Sequence, residues 1–289
     1  MSVEWIAAQA VVNGLVVGML YLLMSIGFTL AFGVMRVVNF AHGQFYMVGA
    51  FTLYACVTYL RMPFIAAVGT AAVVALLLGA VVERGVLQSF RGDELNGMIA
   101  TIGIGMVVEN AALWMFGPNP ISVASGVTGV VRLGPFVLPA ARLFAIALSA
   151  VVLVLFFLFM QHTRTGRAIR AVVQDSEMAE VSGIRAQLVY PLGFGVGIAL
   201  AATAGALMAP LFSVSPFMGG IPLLKAFIVV ILGGLGSVPG AALASLLLGV
   251  IESVTSTFVS ASVADMLQFA LVIVIMLVRP GGLLGNAEA

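Results

Sequence analysis

Charge is what this sequence has least of. Lys and Arg number 12 and Asp and Glu 11 in 289 residues, 8% of the chain, whereas 62% is hydrophobic before the 33 glycines are counted. A soluble domain is about 25% charged, and so few charges could not cover a water-soluble fold of this length. The near balance of signs, +1 at pH 7, excludes the basic density that nucleic-acid binding requires. One cysteine, Cys56, excludes an internal disulfide framework and cysteine metal clusters. No Gly-x-x-x-x-Gly-Lys-Ser/Thr sequence occurs, so no phosphate loop is available to a nucleotide. What remains is the composition of a polytopic membrane protein.

The spacing of the rare charges supplies the architecture. No charged residue interrupts 5–35, 37–60, 62–82, 143–163, 186–224 or 226–251. A membrane-crossing helix needs about 20 mainly apolar residues. The expected fold is an all-α helical bundle with spans near 9–32, 41–60, 64–83, 97–116, 141–160, 188–212, 222–236, 240–258 and 263–279. The seventh is short and ends in glycine, so the count is 8 to 10, with broken or re-entrant segments. Residues 1–289 read as one transmembrane domain. No cleavable signal is expected, because Glu4 stands where a basic segment would be and the first apolar run is too long. With nine spans, Arg36, Arg84, Arg91, Arg164, Arg167, Arg170, Arg185 and Arg279 fall inside, eight of the twelve basic residues. Arg61, Arg132, Arg142 and Lys225 then lie outside. Basic residues near span ends are retained in the cytoplasm, so the N-terminus is expected outside and the C-terminus inside.

Two polar stretches remain. The outer loop 117–140, with Pro118, Pro120, Pro135 and Pro139, reads as ordered cover. The cytoplasmic loop 161–187 carries Arg164, Arg167 and Arg170 at a three-residue spacing along one helix edge, then Asp175, Glu177, Glu180, Gly183 and Arg185 among apolar residues. A short helix–turn–helix with a charged edge fits, either as an ordinary basic loop or as a docking surface. Its Glu177-Met178-Ala179-x-x-x-Gly183 resembles the E-A-A-x-x-x-G coupling segment of ABC-importer permeases, with Met178 in place of the first alanine.

Three further segments carry the same resemblance. Gly27-Phe28-Thr29-Leu30 leads through Gly33-Val34 into Val38-Asn39-Phe40-Ala41-His42-Gly43-Gln44 and on to Ala50. Lys225-Ala226-Phe227 leads into Leu232-Gly233-Gly234-Leu235-Gly236-Ser237-Val238-Pro239-Gly240-Ala241. Arg279-Pro280-Gly281-Gly282-Leu283-Leu284-Gly285 closes the chain. Together they are similar to the shorter membrane permease of the branched-chain amino-acid (Leu/Ile/Val) ABC importer family, from about Asn13 to Gly285. Gln44 stands where that family commonly has an acidic residue. The resemblance implies an inner-membrane, pore-forming subunit without catalysis or cofactor of its own. A second permease chain, two cytoplasmic ATPase subunits that bind ATP and a periplasmic binding protein would complete it. Coupling would fall to Glu177, Ala179, Gly183, Arg167 and Arg170. Relatives that import urea, short amides or other small solutes leave the substrate class open.

Other residues have plainer readings beside the functional ones. His42 has no Cys, Asp, Glu or second His nearby and reads as a partner for broken helix backbone, with Asn39. Asn39, His42 and Gly43, and Gly233, Gly234, Gly236 and Gly240, mark two interruptions of apolar runs, the kind that sit beside a transport pathway. Gly14-x-x-x-Gly18, Gly193-x-x-x-Gly197 and Gly236-x-x-x-Gly240 suit close helix packing. Glu109, Glu252 and Asp265 lie in or near spans. Were they to titrate during transport, the chain would be a proton-coupled carrier. Glu252 and Asp265 fall near span ends, however, and Glu109 has Asn110 beside it. An integral-membrane enzyme would need a convergent polar site, which the scatter of Glu109, His42 and Asp265 does not suggest.

Overall fold

The computed structural model describes residues 3–127, 129–133, 136–234, 236–279 and 281–284, which leaves Pro135, Leu235, Pro280 and Gly285 of the motifs above outside the described residues. Eleven α-helices occur among the described residues. They are α1 Val3–Met35, α2 His42–Thr58, α3 Phe64–Gly85, α4 Glu94–Phe116, α5 Ala140–His162, α6 Arg164–Gln174, α7 Ser176–Val181, α8 Ala186–Met208, α9 Gly220–Gly233, α10 Val238–Phe258 and α11 Ala261–Val278. Each of the nine apolar segments forms a helix. Seven of these (α1, α3, α4, α5, α8, α10 and α11) are long and apolar enough to cross a membrane. The other two, α2 with 17 residues and α9 with 14, reach roughly 26 and 21 Å at 1.5 Å per residue, short of a hydrocarbon layer about 30 Å thick.

Helices α1 and α8 form the centre. Most of each is buried, and α8 tolerates Pro191 inside its first two turns. Glycines set the distances around them. On α1, Gly14 and Gly18 lie against the backbone of Gly249–Val250 and Ser245–Leu246 of α10, which fixes an antiparallel pair. Gly27 and Gly197 bring α1 onto α8, and Gly79 and Gly195 bring α3 onto α8. Gly49 of α2 faces Ala202, and Gly205 faces Tyr46, so closely that an added Cβ on either would overlap a carbonyl oxygen. In lipid, where no hydrophobic drive presses helices together, such close approaches supply the packing energy. Helices α3, α4, α5 and α11 turn apolar side chains outward, among them Leu77, Val107, Leu155 and Ile273.

Both interruptions double back into the bundle. The Nε2 of His42, the first residue of α2, lies 3.2 Å from the carbonyl of Met24, eleven residues short of the end of α1. Residues 36–41 therefore climb back along α1 by about 16 Å, passing Gly97, Thr101 and Gly105 of α4. At the second break, α9 and α10 turn back on each other, with Gly233 against Gly240.

At the end opposite α6 and α7, the strands β1 Val130–Leu133 and β2 Phe136–Pro139 pair antiparallel, with Val131 opposite Leu138. The Gln9 side chain of α1 clasps both backbone groups of Val137 at 3.1 Å. Ile121 and Val214 form a further antiparallel bridge, tying the 117–129 segment to the stretch between α8 and α9. Among the described residues, the expected cover consists of this hairpin and bridge.

Replacing Gly49 with valine should lower stability by about 3 kcal/mol, since the added side chain must push α2 off α8. Gly69→Ala on α3, where nothing lies within 4 Å, should leave it unchanged or slightly raised. Thermal unfolding of the detergent-purified protein measures both.

Candidate functional site

The first part of the site is the α6–α7 hairpin. Thr163 caps α6, its Oγ1 accepting from Gly166 N at 2.9 Å. Asp175 caps α7, its Oδ1 accepting from Met178 N at 3.0 Å. Gly166, Ile169 and Val172 bury one face of α6, while Arg164, Arg167 and Arg170 line the exposed one. Ala179 is buried, whereas Glu177, Met178, Glu180 and Val181 are exposed. Gly183 then turns the chain at φ +83° with no atom near its Cβ position. That backbone conformation is one that side chains with a Cβ rarely adopt.

The hairpin rests on the end of α1. Val173 of α6 lies against Gly33, and Ile169 and Val34 lie against Gly193 of α8. A 440 Å³ cavity opens between Asp175–Glu177 on one side and Gly33–Val37, the lead-in to the first break, on the other. Arg91 lines it. The guanidinium of Arg91 is held by the fully buried Glu83 carboxylate and sits 4.1 Å over the Tyr190 ring, which joins the α3–α4 connection to α8.

The second part is the pair of breaks. Asn39 Oδ1 accepts from Ala41 N at 3.0 Å, and Thr101 Oγ1 accepts from Phe40 N at 3.1 Å. Phe28 stands edge-on between His42, 5.3 Å away, and Phe227 of α9, 6.1 Å away. Gly43 lies against the backbone of Gly219, immediately before α9. At the other end of α9, Gly233 packs on Gly240 backbone to backbone, and Gly234 turns at φ +101°. Two carbonyls at the end of α9 are met from the chain's C-terminal segment: Leu283 N donates to Leu232 O at 2.8 Å and Leu284 N to Gly233 O at 3.1 Å. Thus Gly43 meets the chain at the start of α9, with Asn39 and His42 next to it in sequence, and Gly233, Gly234 and Gly240 lie at the other end of α9. Gly236 is not part of a helix-packing pair. It is exposed at φ +82° at the apex of the turn, outside α10, and Ser237 caps α10 behind it.

The coupling residues and the break residues are not in contact with each other. They are connected through the end of α1 and the 36–41 segment.

Sequence reasoning missed one cluster. Lys225 of α9 is 6% exposed. Its Nζ donates to Glu252 Oε2 at 3.0 Å, Asp265 Oδ1 at 2.5 Å and Gln268 Oε1 at 2.5 Å, all three of the protons an ammonium has. Gln268 Nε2 donates to Glu252 at 2.8 Å, and Tyr21 OH bonds the same carboxylate at 3.1 Å. Glu252 and Asp265, read as wetted span ends, are therefore counter-ions to a buried lysine, with only Asp265 about half exposed. The signal was a lone cation amid long uncharged stretches, which inside a membrane demands a partner. Glu109 is likewise met by Gln44 Nε2 at 3.4 Å, and not by Asn110, which donates to Met106 O.

The family described as "Branched-chain amino acid transport system / permease component" matches residues 10–276. The high-affinity branched-chain amino acid transport system permease protein LivH of Escherichia coli K12 is 33% identical over 297 residues, covering 97% of this chain and 96% of its own. LivH of Salmonella typhimurium is 32% identical over 300 residues with the same coverage. The permease protein BraD of Pseudomonas aeruginosa is 32% identical over 295 residues, also at 97% and 96%. No solved structure matches the chain.

Replacing Lys225 with methionine should lower stability by about 2 kcal/mol, because it leaves the part-buried Glu252 without its counter-ion. Asp265→Asn should cost less than about 1 kcal/mol, as that carboxylate is half in solvent. Adding Glu252→Gln to Lys225→Met should restore part of the loss, a non-additivity read from thermal unfolding of the single and double variants.

Proposed function

The chain belongs to the family of branched-chain amino acid transport system permease components, and from that premise we propose that it forms, with a second permease chain, the translocation pathway of an ABC importer for branched-chain amino acids. It is a multi-pass membrane transport subunit. In this proposal two ATPase subunits dock on the α6–α7 side, a periplasmic binding protein delivers the substrate from the other, and ATP stays in the partner subunits. The excess of basic residues at the α6–α7 end makes that end cytoplasmic in the bacterial inner membrane, with the N-terminus periplasmic and the C-terminus cytoplasmic.

The observation that carries the proposal is the hairpin itself. A capped helix with three exposed arginines leads into a six-residue helix with exposed Glu177 and Met178, and the chain leaves it through Gly183 at positive φ. A rigid lever fixed at both ends suits the transfer of ATPase closure into the spans. Ile169 and Val173 lie against the end of α1 and Gly193 of α8, so a push on α7 would be felt at residues 36–41 and hence at the start of α2. The interior near the first break offers Phe28, Phe227, His42 and glycine backbone, surroundings that favour an apolar side chain.

Reconstituted with its ATPase and permease partners, the chain should support ATP-dependent uptake of leucine. Alone it should support none, and energised uptake by the isolated chain would favour a carrier instead. Gly183→Val should abolish uptake and substrate-stimulated ATP hydrolysis while the permease stays inserted. Because no atom crowds that Cβ position, the effect is backbone strain alone, about 2 kcal/mol. Wild-type uptake and stimulated hydrolysis in Gly183→Val would remove α7 from the coupling path.

A further inference from the structure

Beside the α6–α7 hairpin, but apart from the cavity already described, lies a second cavity of 550 Å³. Arg84 and Gln88 reach it from the end of α3 and the 3-10 turn that follows. Arg185, Gln187 and Leu188 reach it from the start of α8, and Glu180 and Gly183 from the α7 side of the coupling segment. Neither arginine makes a salt bridge among the described residues. The cavity therefore holds two guanidinium groups against one carboxylate, with two amide side chains able to donate hydrogen bonds.

What lies above the two arginines identifies their ligand. On α3, Val73, Leu77, Val81 and Arg84 recur at spacings of four, four and three, one strip of a helix, and all four are exposed. Arg185 is the N-cap residue of α8, and Leu188 and Leu192, three and seven residues on, are the exposed apolar side chains of its first two turns. Each arginine thus ends an exposed apolar strip on a helix long and apolar enough to cross the membrane. Two such strips lead to one basic cavity at the membrane boundary. Apolar length above and paired cationic donors below is the chemistry of an acyl chain joined to a phosphate.

We infer that this cavity binds the headgroup of an anionic phospholipid, with Arg84 and Arg185 on its phosphate and its acyl chains along the Leu77–Val81 and Leu188–Leu192 strips. Arg185 follows Gly183 by two residues, so the bound lipid stiffens the connection from α7 into α8. The inference rests on the membrane crossing of α3 and α8 and does not depend on which solute is carried. An acidic surface of a protein partner would lack any use for the apolar strips, which is why lipid is the occupant.

The test uses the assembled importer in nanodiscs of phosphatidylcholine with graded phosphatidylglycerol, read by native mass spectrometry for retained lipid. Retention of phosphatidylglycerol should saturate and exceed that of phosphatidylcholine. The Arg84→Gln/Arg185→Gln variant should weaken it about tenfold. Arg61→Gln/Arg142→Gln, the same loss of charge at the other end, should leave it unchanged. Excess inorganic phosphate should not displace the lipid. Should the first variant fail to insert, the competition of the two lipids on the wild-type complex and the Arg84→Lys/Arg185→Lys variant, which keeps the charge, decide the matter. Equal retention of both lipids, equal loss in both glutamine variants, or displacement by phosphate would overturn the inference. So would a variant that keeps its lipid and sheds the ATPase subunits, because the cavity would then be a protein contact.

Discussion

Inside a hydrocarbon layer a backbone N–H or C=O has no water to turn to, and each one left unpaired costs several kcal/mol. That constraint explains the arrangement of this chain at its two broken places. Where α1 ends and the chain climbs back, Asn39, Thr101 and His42 meet backbone groups of residues 41, 40 and 24 respectively. Where α9 stops in Gly233, the chain's own C-terminal segment folds back and supplies donors from Leu283 and Leu284. Asn39 itself, a side chain from α4 and a segment fifty residues downstream are recruited to make irregular backbone tolerable in the interior, whereas His42 bonds a carbonyl inside the regular helix α1.

Glycine stands at close backbone contacts between the described helices. Gly43 on Gly219, Gly233 on Gly240 and Gly14 on Gly249 bring main chain against main chain. At such distances dispersion is strong, and short helices such as α2 and α9 can be held in place without crossing the whole layer. The long helices α3, α4, α5 and α11 surround this centre and present apolar side chains outward.

Charge is used sparingly, and among the described residues the buried charges, Glu83 and Lys225, each have a counter-ion. Lys225 spends all three protons on α10 and α11, and Tyr21 of α1 completes the group. Glu83 holds Arg91 against Tyr190, and Glu109 meets the neutral Gln44. These pairs tie α9 to α10 and α11, α3 to α8, and α2 to α4. A buried pair of this kind adds little net stability but penalises any packing that separates it. In the proposed transport cycle, α9 therefore moves together with α10 and α11 rather than against them.

The sequence by itself determined the membrane class, the nine helical segments and the hairpin between α5 and α8, because length, apolarity and the spacing of rare charges are local properties. It also marked the two interruptions and the glycine turn at residue 183, since glycine and asparagine in an apolar run have few other uses. It marked 222–236 as short, but could not determine that the helix within 41–60 is also shorter than the membrane is thick. That follows from where Met24, Gly219 and the C-terminal segment stand in space. Nor could it pair Lys225 with Glu252 and Asp265, or Glu109 with Gln44, across 27, 40 and 65 positions. Local pattern tells which groups need a partner, because burial follows from the neighbours in sequence. Which partner each one finds depends on the register and crossing of packed helices, and only the tertiary structure decides that.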